Sequence, residues 1–300
     1  MNPLLTRHLF ESARRKRFFW LLSGYLLLIS FLALSFTLLT SLSNIGPNNN
    51  TRLQMTALYS QGQGLYWASA VLLIATSILI APISALGTFS GEREARTFDL
   101  LRTTTLRSRE LVWGKLNACL LRAALYILAP LPLLMLGFWM GGITALELGL
   151  LILLLSVTTF YHVAWALFLS ARIRKTLTAV LTYLGLQISL VPLIGLLITL
   201  LGILITIWEN TVGPTPPPEW VGILAIYVLA FIVSLHPLSA GFASQLLWLS
   251  EDSWLSASLP LDSGTSITLV SPWIPYTLLA LFGAFFLIHS TIQRLKRTER

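Results

Sequence analysis

The residues best equipped for chemistry lie together in one stretch. From Glu92 to Lys115 the chain reads ERE-ART-FDLLRTTTLRSRELVWGK, dense in both charge signs and unlike any other part of the sequence. Phe98, Leu100 and Leu101 form a short apolar face, while Arg93, Glu94, Arg96 and Arg102 fall elsewhere, the pattern of an amphipathic helix. Thr103-Thr104-Thr105 reads as a turn, and a second helix is expected to begin near Ser108. A tether that only keeps basic residues on one side of a membrane needs neither paired acids nor an apolar stripe.

Other chemistries find less support. His162, His236 and His289 lie in or near apolar runs, but no His-Glu-x-x-His or paired-Glu motif supplies the ligands of a metalloprotease. His162 follows Tyr161 with no acidic residue within one turn, so a buried, hydrogen-bonded histidine is expected. Cys119 is the single cysteine, which excludes an intramolecular disulfide and a Cys-based metal site. It reads as a small buried hydrophobe. Gly114-Lys115 lacks the preceding glycine and following hydroxyl of a phosphate-binding loop. No acidic ring or carbonyl-filter signature of an ion channel is present.

The elements that must position the 92–115 stretch are membrane spans. Of 300 residues, 55% are apolar and only 11% charged, with a mean hydropathy of +0.78. Soluble domains carry about 25% charged residues, so this chain cannot cover itself with solvated side chains. Uncharged runs place six spans at Phe18–Leu42, Leu65–Ser90, Ala123–Leu146, Leu148–Ala171, Thr176–Trp208 and Pro272–Ile292. An unpaired charge at the bilayer centre costs about 2.5–3.5 kcal/mol on insertion scales, which makes these gaps informative. Arg14-Arg15-Lys16-Arg17 precedes the first run with no small-residue cleavage site after it, so an anchor is expected rather than a signal peptide.

The charges then give orientation. Every Lys and Arg except Arg52 lies before the first span, between the second and third, after the fourth, or after the last. Glu147, Glu209, Glu219, Glu251, Asp252 and Asp262 fall on the other side, with Glu147 read as a short external-loop charge. By the positive-inside rule both termini are cytoplasmic. The net charge of +8 therefore reports topology, and no nucleic-acid partner is implied. The segment 220–250 is too short for the two crossings, about 40 residues, that this topology would demand. It is expected to be re-entrant or interfacial on the external face, turning near His236-Pro237, after a stiff linker at Gly213–Pro218.

The run from Glu92 to Lys115 resembles the type-2 permease of ATP-binding cassette (ABC) transporters. The matching residues are Glu92, Arg93, Glu94, Thr97, Asp99, Leu100, Leu101, Thr103, Thr104, Leu106, Glu110, Gly114 and Lys115. Asn2-Pro3-Leu4-Leu5 with Arg7 resembles that family's N-terminal interfacial helix. Arg107 stands where a capping Ser is common, so Thr105 or Ser108 must start the following helix. Arg96 stands where Gly is common, which argues against a tight turn there.

The resemblance implies an all-α membrane protein forming a single permease domain over 1–300. It would have six transmembrane helices, an interfacial helix at 1–17, a cytoplasmic coupling loop at 91–116 and an external, re-entrant region at 209–271. Glu92, Arg93, Glu94, Thr97, Phe98, Asp99, Leu100, Leu101, Thr104, Glu110 and Lys115 would dock a separate ABC ATPase subunit that binds ATP and Mg; this chain would bind no cofactor. The implied protein is a non-catalytic subunit in the inner membrane of a bacterium, acting as an exporter beside a second permease copy or homologue. Two other outputs compete: mechanical work on an extracytoplasmic partner, and a polytopic membrane enzyme. Ala81 with Ala85, and Gly137 with Gly141, allow close helix packing either within the chain or at a dimer seam.

Overall fold

The computed structural model describes residues 16–43, 51–97, 107–212, 219–251, 253–260 and 266–299. Apolar runs this long can satisfy their backbone only as helices, and helices dominate. They are α1 (Lys16–Ser43), α2 (Thr51–Glu94), α3 (Ser108–Leu128), α4 (Leu131–Trp139), α5 (Ala145–Arg172), α6 (Thr176–Val212), α7 (Glu219–Val233), α8 (Pro237–Glu251) and α9 (Trp273–Glu299). Two compact units emerge, one within Met1–Val180 and Ala284–Arg300, the other within Leu181–Gly283.

Among the described residues five helices are long and apolar enough to cross a membrane: Leu58–Glu94, Ser108–Leu128, Ala145–Arg172, Thr176–Trp208 and Trp273–Arg297. The first expected span, Phe18–Leu42, falls on α1, which is helical throughout but is not among those five. The third span begins earlier than its charges suggest. Ala123–Leu146 is not one helix: α3 ends at Leu128, and Pro130 caps the separate nine-residue α4. Proline blocks a continuous helix there, while Lys115 and Arg122 inside α3 are held by Glu92 and the Ala118 carbonyl.

In the first unit α2 is the central element, touching α1, α3, α4 and α5. Its buried positions are unusually small or apolar, with Ala70, Ala81, Ala85, Leu86 and Phe89 all at most 3% exposed. Ala81 and Ala85 therefore serve packing inside the chain. Tyr25 of α1 meets Tyr126 of α3 edge to face at 6.0 Å. At the end remote from Glu92, α2 meets the turn after α4 backbone to backbone. A Cβ on Gly142 would collide with the Gln63 nitrogen, and one on Gly137 would lie 3.1 Å from the Gly62 carbonyl oxygen. Gly137 thus packs within the chain, and Gly141 turns with φ +76.

Glu147 is no loop charge. It sits in the first turn of α5, 7% exposed, where its carboxylate accepts from the Thr144 N–H at 2.6 Å and Thr144 Oγ1 accepts from the Glu147 N–H at 3.2 Å. This reciprocal cap satisfies helix donors that otherwise lack partners.

In the second unit α7 and α8 are 15 residues each, joined at Ser234–His236. At 1.5 Å per residue each reaches only about 22 Å, short of a hydrocarbon core of about 30 Å. The expected turn at His236-Pro237 is present, with His236 Nδ1 accepting from the Leu238 N–H at 3.3 Å. The expected all-α architecture is present, with one short hairpin added. Ser256–Pro260 (β1) pairs antiparallel with Ser266–Val270 (β2), Ser256 opposite Val270. Both segments alternate small or polar residues with apolar ones at period two, a strand pattern, and turn-forming residue types separate them. Tyr227 Oη donates to the Thr268 carbonyl at 3.1 Å, and Trp273 stacks on Trp254 at 6.1 Å.

Within Thr176–Trp208 of α6, the most apolar 18-residue window has a mean hydropathy of 2.8, yet only 6% of it is buried, against 56% for the corresponding windows of α2 and α5. A helix apolar all round with little protein against it is suited to a lipid environment.

Candidate functional site

The ends of α2 and α3 that carry the 91–116 loop converge, and three consecutive side chains of α2 each engage a different helix. Glu92 pairs with Lys115 of α3. Lys115 is 8% exposed; its ammonium also donates to the Thr88 carbonyl at 3.1 Å and lies 4.2 Å from the centre of the Phe89 ring. Those contacts replace the water that a buried ammonium loses. They also explain why a charge can stand inside a span-length helix.

Arg93 turns to α5, where its Nη2 donates to the Ala171 carbonyl at 2.9 Å. That carbonyl belongs to the last turn of α5, where a cation is favoured by the helix dipole. Arg174 and Arg294 lie within electrostatic reach of the same guanidinium. Glu94 turns to α6: its carboxylate accepts from the Thr176 N–H at 3.1 Å and from Thr176 Oγ1 at 2.9 Å. An acid at a helix start is the complementary arrangement.

Beneath these charges lies a small polar layer. Ser170 Oγ, fully buried, accepts from the N–H groups of Phe89 and Ser90 at 3.0 and 3.1 Å. Ser90 Oγ donates to the Leu86 carbonyl and lies 3.1 Å from Thr176 Oγ1. Hydroxyls on apolar helices act this way where backbones approach closely. Sequence reasoning missed Thr88, Phe89, Ser90, Ser170 and Thr176. The available signal was a Ser or Thr near the charged end of each of three apolar runs.

The structure brings Glu92, Arg93, Glu94 and Lys115 together. Helix α2 ends in a left-handed turn, with Thr97 N–H bonded to the Glu92 carbonyl at 2.9 Å and Arg96 N–H to the Arg93 carbonyl at 3.2 Å. This is the Schellman pattern, with Arg96 at φ 57 in the position glycine favours. A tight turn therefore does form, because the two backbone bonds and the clamped side chains before it hold Arg96 in place. Thr97 Oγ1 donates to the Glu92 carbonyl at 3.3 Å. Glu110 lies apart from that group: its carboxylate accepts from the Arg107 N–H at 3.3 Å, half a capping box, and the helix starts at Ser108. Phe98, Asp99, Leu100, Leu101 and Thr104 lie outside the described residues, as do residues 1–15 of the expected interfacial helix and the linker at 213–218.

The histidines hold other positions. His162 is 3% exposed and stacked with Trp165; His289 Nε2 lies 2.8 Å from Gln293 Nε2; and Cys119 is buried. Among the described residues no three His, Cys, Asp or Glu side chains are grouped to hold a metal ion. Chemically, the cluster at the loop base presents matched charges and helix-end contacts.

No protein-family model matches the chain, and no curated protein matches it.

Proposed function

We propose that this chain is the permease subunit of an ABC-type transporter, working as an exporter and driven by a separate ATPase docked on the loop 92–115. The observation that carries the reading is the base of that loop: Glu92, Arg93 and Glu94 join it to α3, α5 and α6 in three consecutive residues. A loop fixed to several spans at once converts a push from outside the membrane into movement among those spans. The motif resemblance supplies the identity of the pushing partner.

On this reading the labour is divided. Phe98, Asp99, Leu100, Leu101 and Thr104 face the ATPase, while Glu92, Arg93, Glu94 and Lys115 transmit its motion. ATP and Mg act in the partner, this chain is a non-catalytic subunit, and a second permease copy or homologue completes the path. The termini and the loop are cytoplasmic, in a bacterial inner membrane. The pair α7 and α8 dips into the external face, since each helix is too short to cross.

The test is affinity purification of the full chain from its own membranes, followed by photolabelling with an azido-ATP analogue. A co-purifying labelled ATPase is expected. Phe98→Ala with Leu101→Ala should remove it, whereas Glu92→Lys with Glu94→Lys should leave membrane insertion intact and uncouple ATP hydrolysis. Absence of any ATP-binding partner, or normal coupling in the charge-reversal variant, overturns the reading.

A further inference from the structure

A second feature of the same unit takes no part in the loop clamp. Between the first turns of α3 and the last turns of α9 lies a groove of about 590 Å³, lined on one side by Arg109 and Trp113. The α9 wall is a single stripe at helical spacing: Phe285, Ile288, His289, Ile292, Gln293 and Lys296. Phe160 of α5 braces Phe285 edge to face at 5.8 Å.

Its polarity is graded along the helix axis. Arg109 lies in the first turn of α3 and Lys296 in the last turns of α9, so both cations stand at one end. Ile288 and Phe285 stand about 12 and 16 Å further along α9 from Lys296, at 1.5 Å per residue. Among the described residues that line the groove, none is acidic. Arg109, His289, Gln293 and Lys296 are exposed, and so is Phe285, at 55%. A cationic mouth above an apolar trough, at the end of two spans, has the polarity of a phospholipid lying in its leaflet.

We propose that this groove binds an anionic phospholipid. The phosphate sits between Arg109 and Lys296, and an acyl chain runs along Ile292, Ile288 and Phe285 past Trp113. Basic pockets between spans attract acidic headgroups through local charge, each Lys or Arg contributing about 1 kcal/mol near such a surface. A free anion would use the mouth and leave the trough empty. A soluble peptide would have no reason to align its apolar part with the hydrocarbon. The site depends only on the chain spanning a bilayer and not on an ATPase partner, so it stands or falls separately from the transport reading.

The experiment is titration of the detergent-purified full chain with phosphatidylglycerol, phosphatidylcholine or inorganic phosphate, followed by native mass spectrometry. Phosphatidylglycerol should bind saturably and in preference to phosphatidylcholine, with no adduct from phosphate alone. Arg109→Gln with Lys296→Gln should weaken phosphatidylglycerol roughly 30-fold and leave phosphatidylcholine unchanged; Arg109→Lys should retain it. Ile292→Trp, which fills the trough and keeps both cations, should weaken it too. Equal binding of both lipids, or wild-type binding in the double Gln variant, overturns the proposal. Binding of phosphate alone would reassign the mouth to a soluble anion and overturn it. Cross-linking between copies through Ile292→Cys would seat a second chain there and overturn it as well.

Discussion

Glu92 and Lys115 stand 23 residues apart in sequence and form an ion pair that closes the base of the charged loop. The lysine is buried and the glutamate side chain is 25% exposed, so the two partners are not equivalent. Removing the glutamate strands an ammonium in a place built for a pair. Glu92→Gln is expected to destabilise the protein by about 2–3 kcal/mol, whereas Lys115→Met should cost less because no buried charge is left behind. Thermal unfolding of the single and double variants in detergent measures both, and a smaller loss for Glu92→Gln than for Lys115→Met would contradict the assigned asymmetry.

Thr176 receives Glu94 through its N–H and hydroxyl and lies beside Ser90. Thr176→Val keeps the shape and removes the hydroxyl, and should lose about 1 kcal/mol. Glu94→Ala removes the cap of α6 and should lose about the same. Because the two act on one contact, the double variant should lose clearly less than the sum. Additive losses in a double-mutant cycle would show that the contact does not couple them.

Arg96 occupies the left-handed region at φ 57. Glycine reaches that conformation without a Cβ penalty, so Arg96→Gly should stabilise the protein by about 1 kcal/mol, and Arg96→Val should destabilise it. Unfolding midpoints in detergent decide between this and a turn that is free to relax.

Gly141 and Gly142 are neighbours with different reasons for being glycine. Gly141 has φ +76 and open space around its Cβ position; Gly142 has backbone atoms of Gln63 and Gly62 pressed against its own. Gly141→Ala should lose about 1 kcal/mol from backbone strain. Gly142→Ala must push two main chains apart and should lose about 3 kcal/mol or fail to fold. Expression level and melting temperature of the two variants rank them, and the reverse order would contradict the contact.

Spans are legible in the sequence because burial of unpaired charge in a bilayer is costly, and α2, α5, α6 and α9 lie where the gaps in the charge map put them. The same logic misplaces the third span. It makes Arg122 the boundary and leaves Lys115 in the loop, although Arg122 is held by the Ala118 carbonyl and Lys115 by Glu92, Thr88 and Phe89 inside α3. The importance of Glu92, Arg93 and Glu94 is visible in their density, but not their targets, which lie on α3, α5 and α6 and depend on tertiary contact. Glu147 shows the same limit: its charge is plain in the sequence, but its reciprocal cap with Thr144 looks there like a loop. The hairpin of β1 and β2 escapes notice because two five-residue segments carry little periodic signal against the apolar runs around them.

The contact of α2 with the α4 turn has a mechanical consequence. Where Gly62 and Gly142 meet, main chain bears on main chain with no side chain between to yield. Glu94 lies 32 residues beyond Gly62 along α2, about 48 Å at 1.5 Å per residue, with Pro82 between them. Proline withholds one backbone hydrogen bond and makes that point the natural bend. On the proposed function, a bend of about 5° at Pro82 would move Glu94 by about 1.6 Å over the 12 residues between them. The glycines would then fix the far segment of the helix and leave Glu92–Glu94 on the segment that moves.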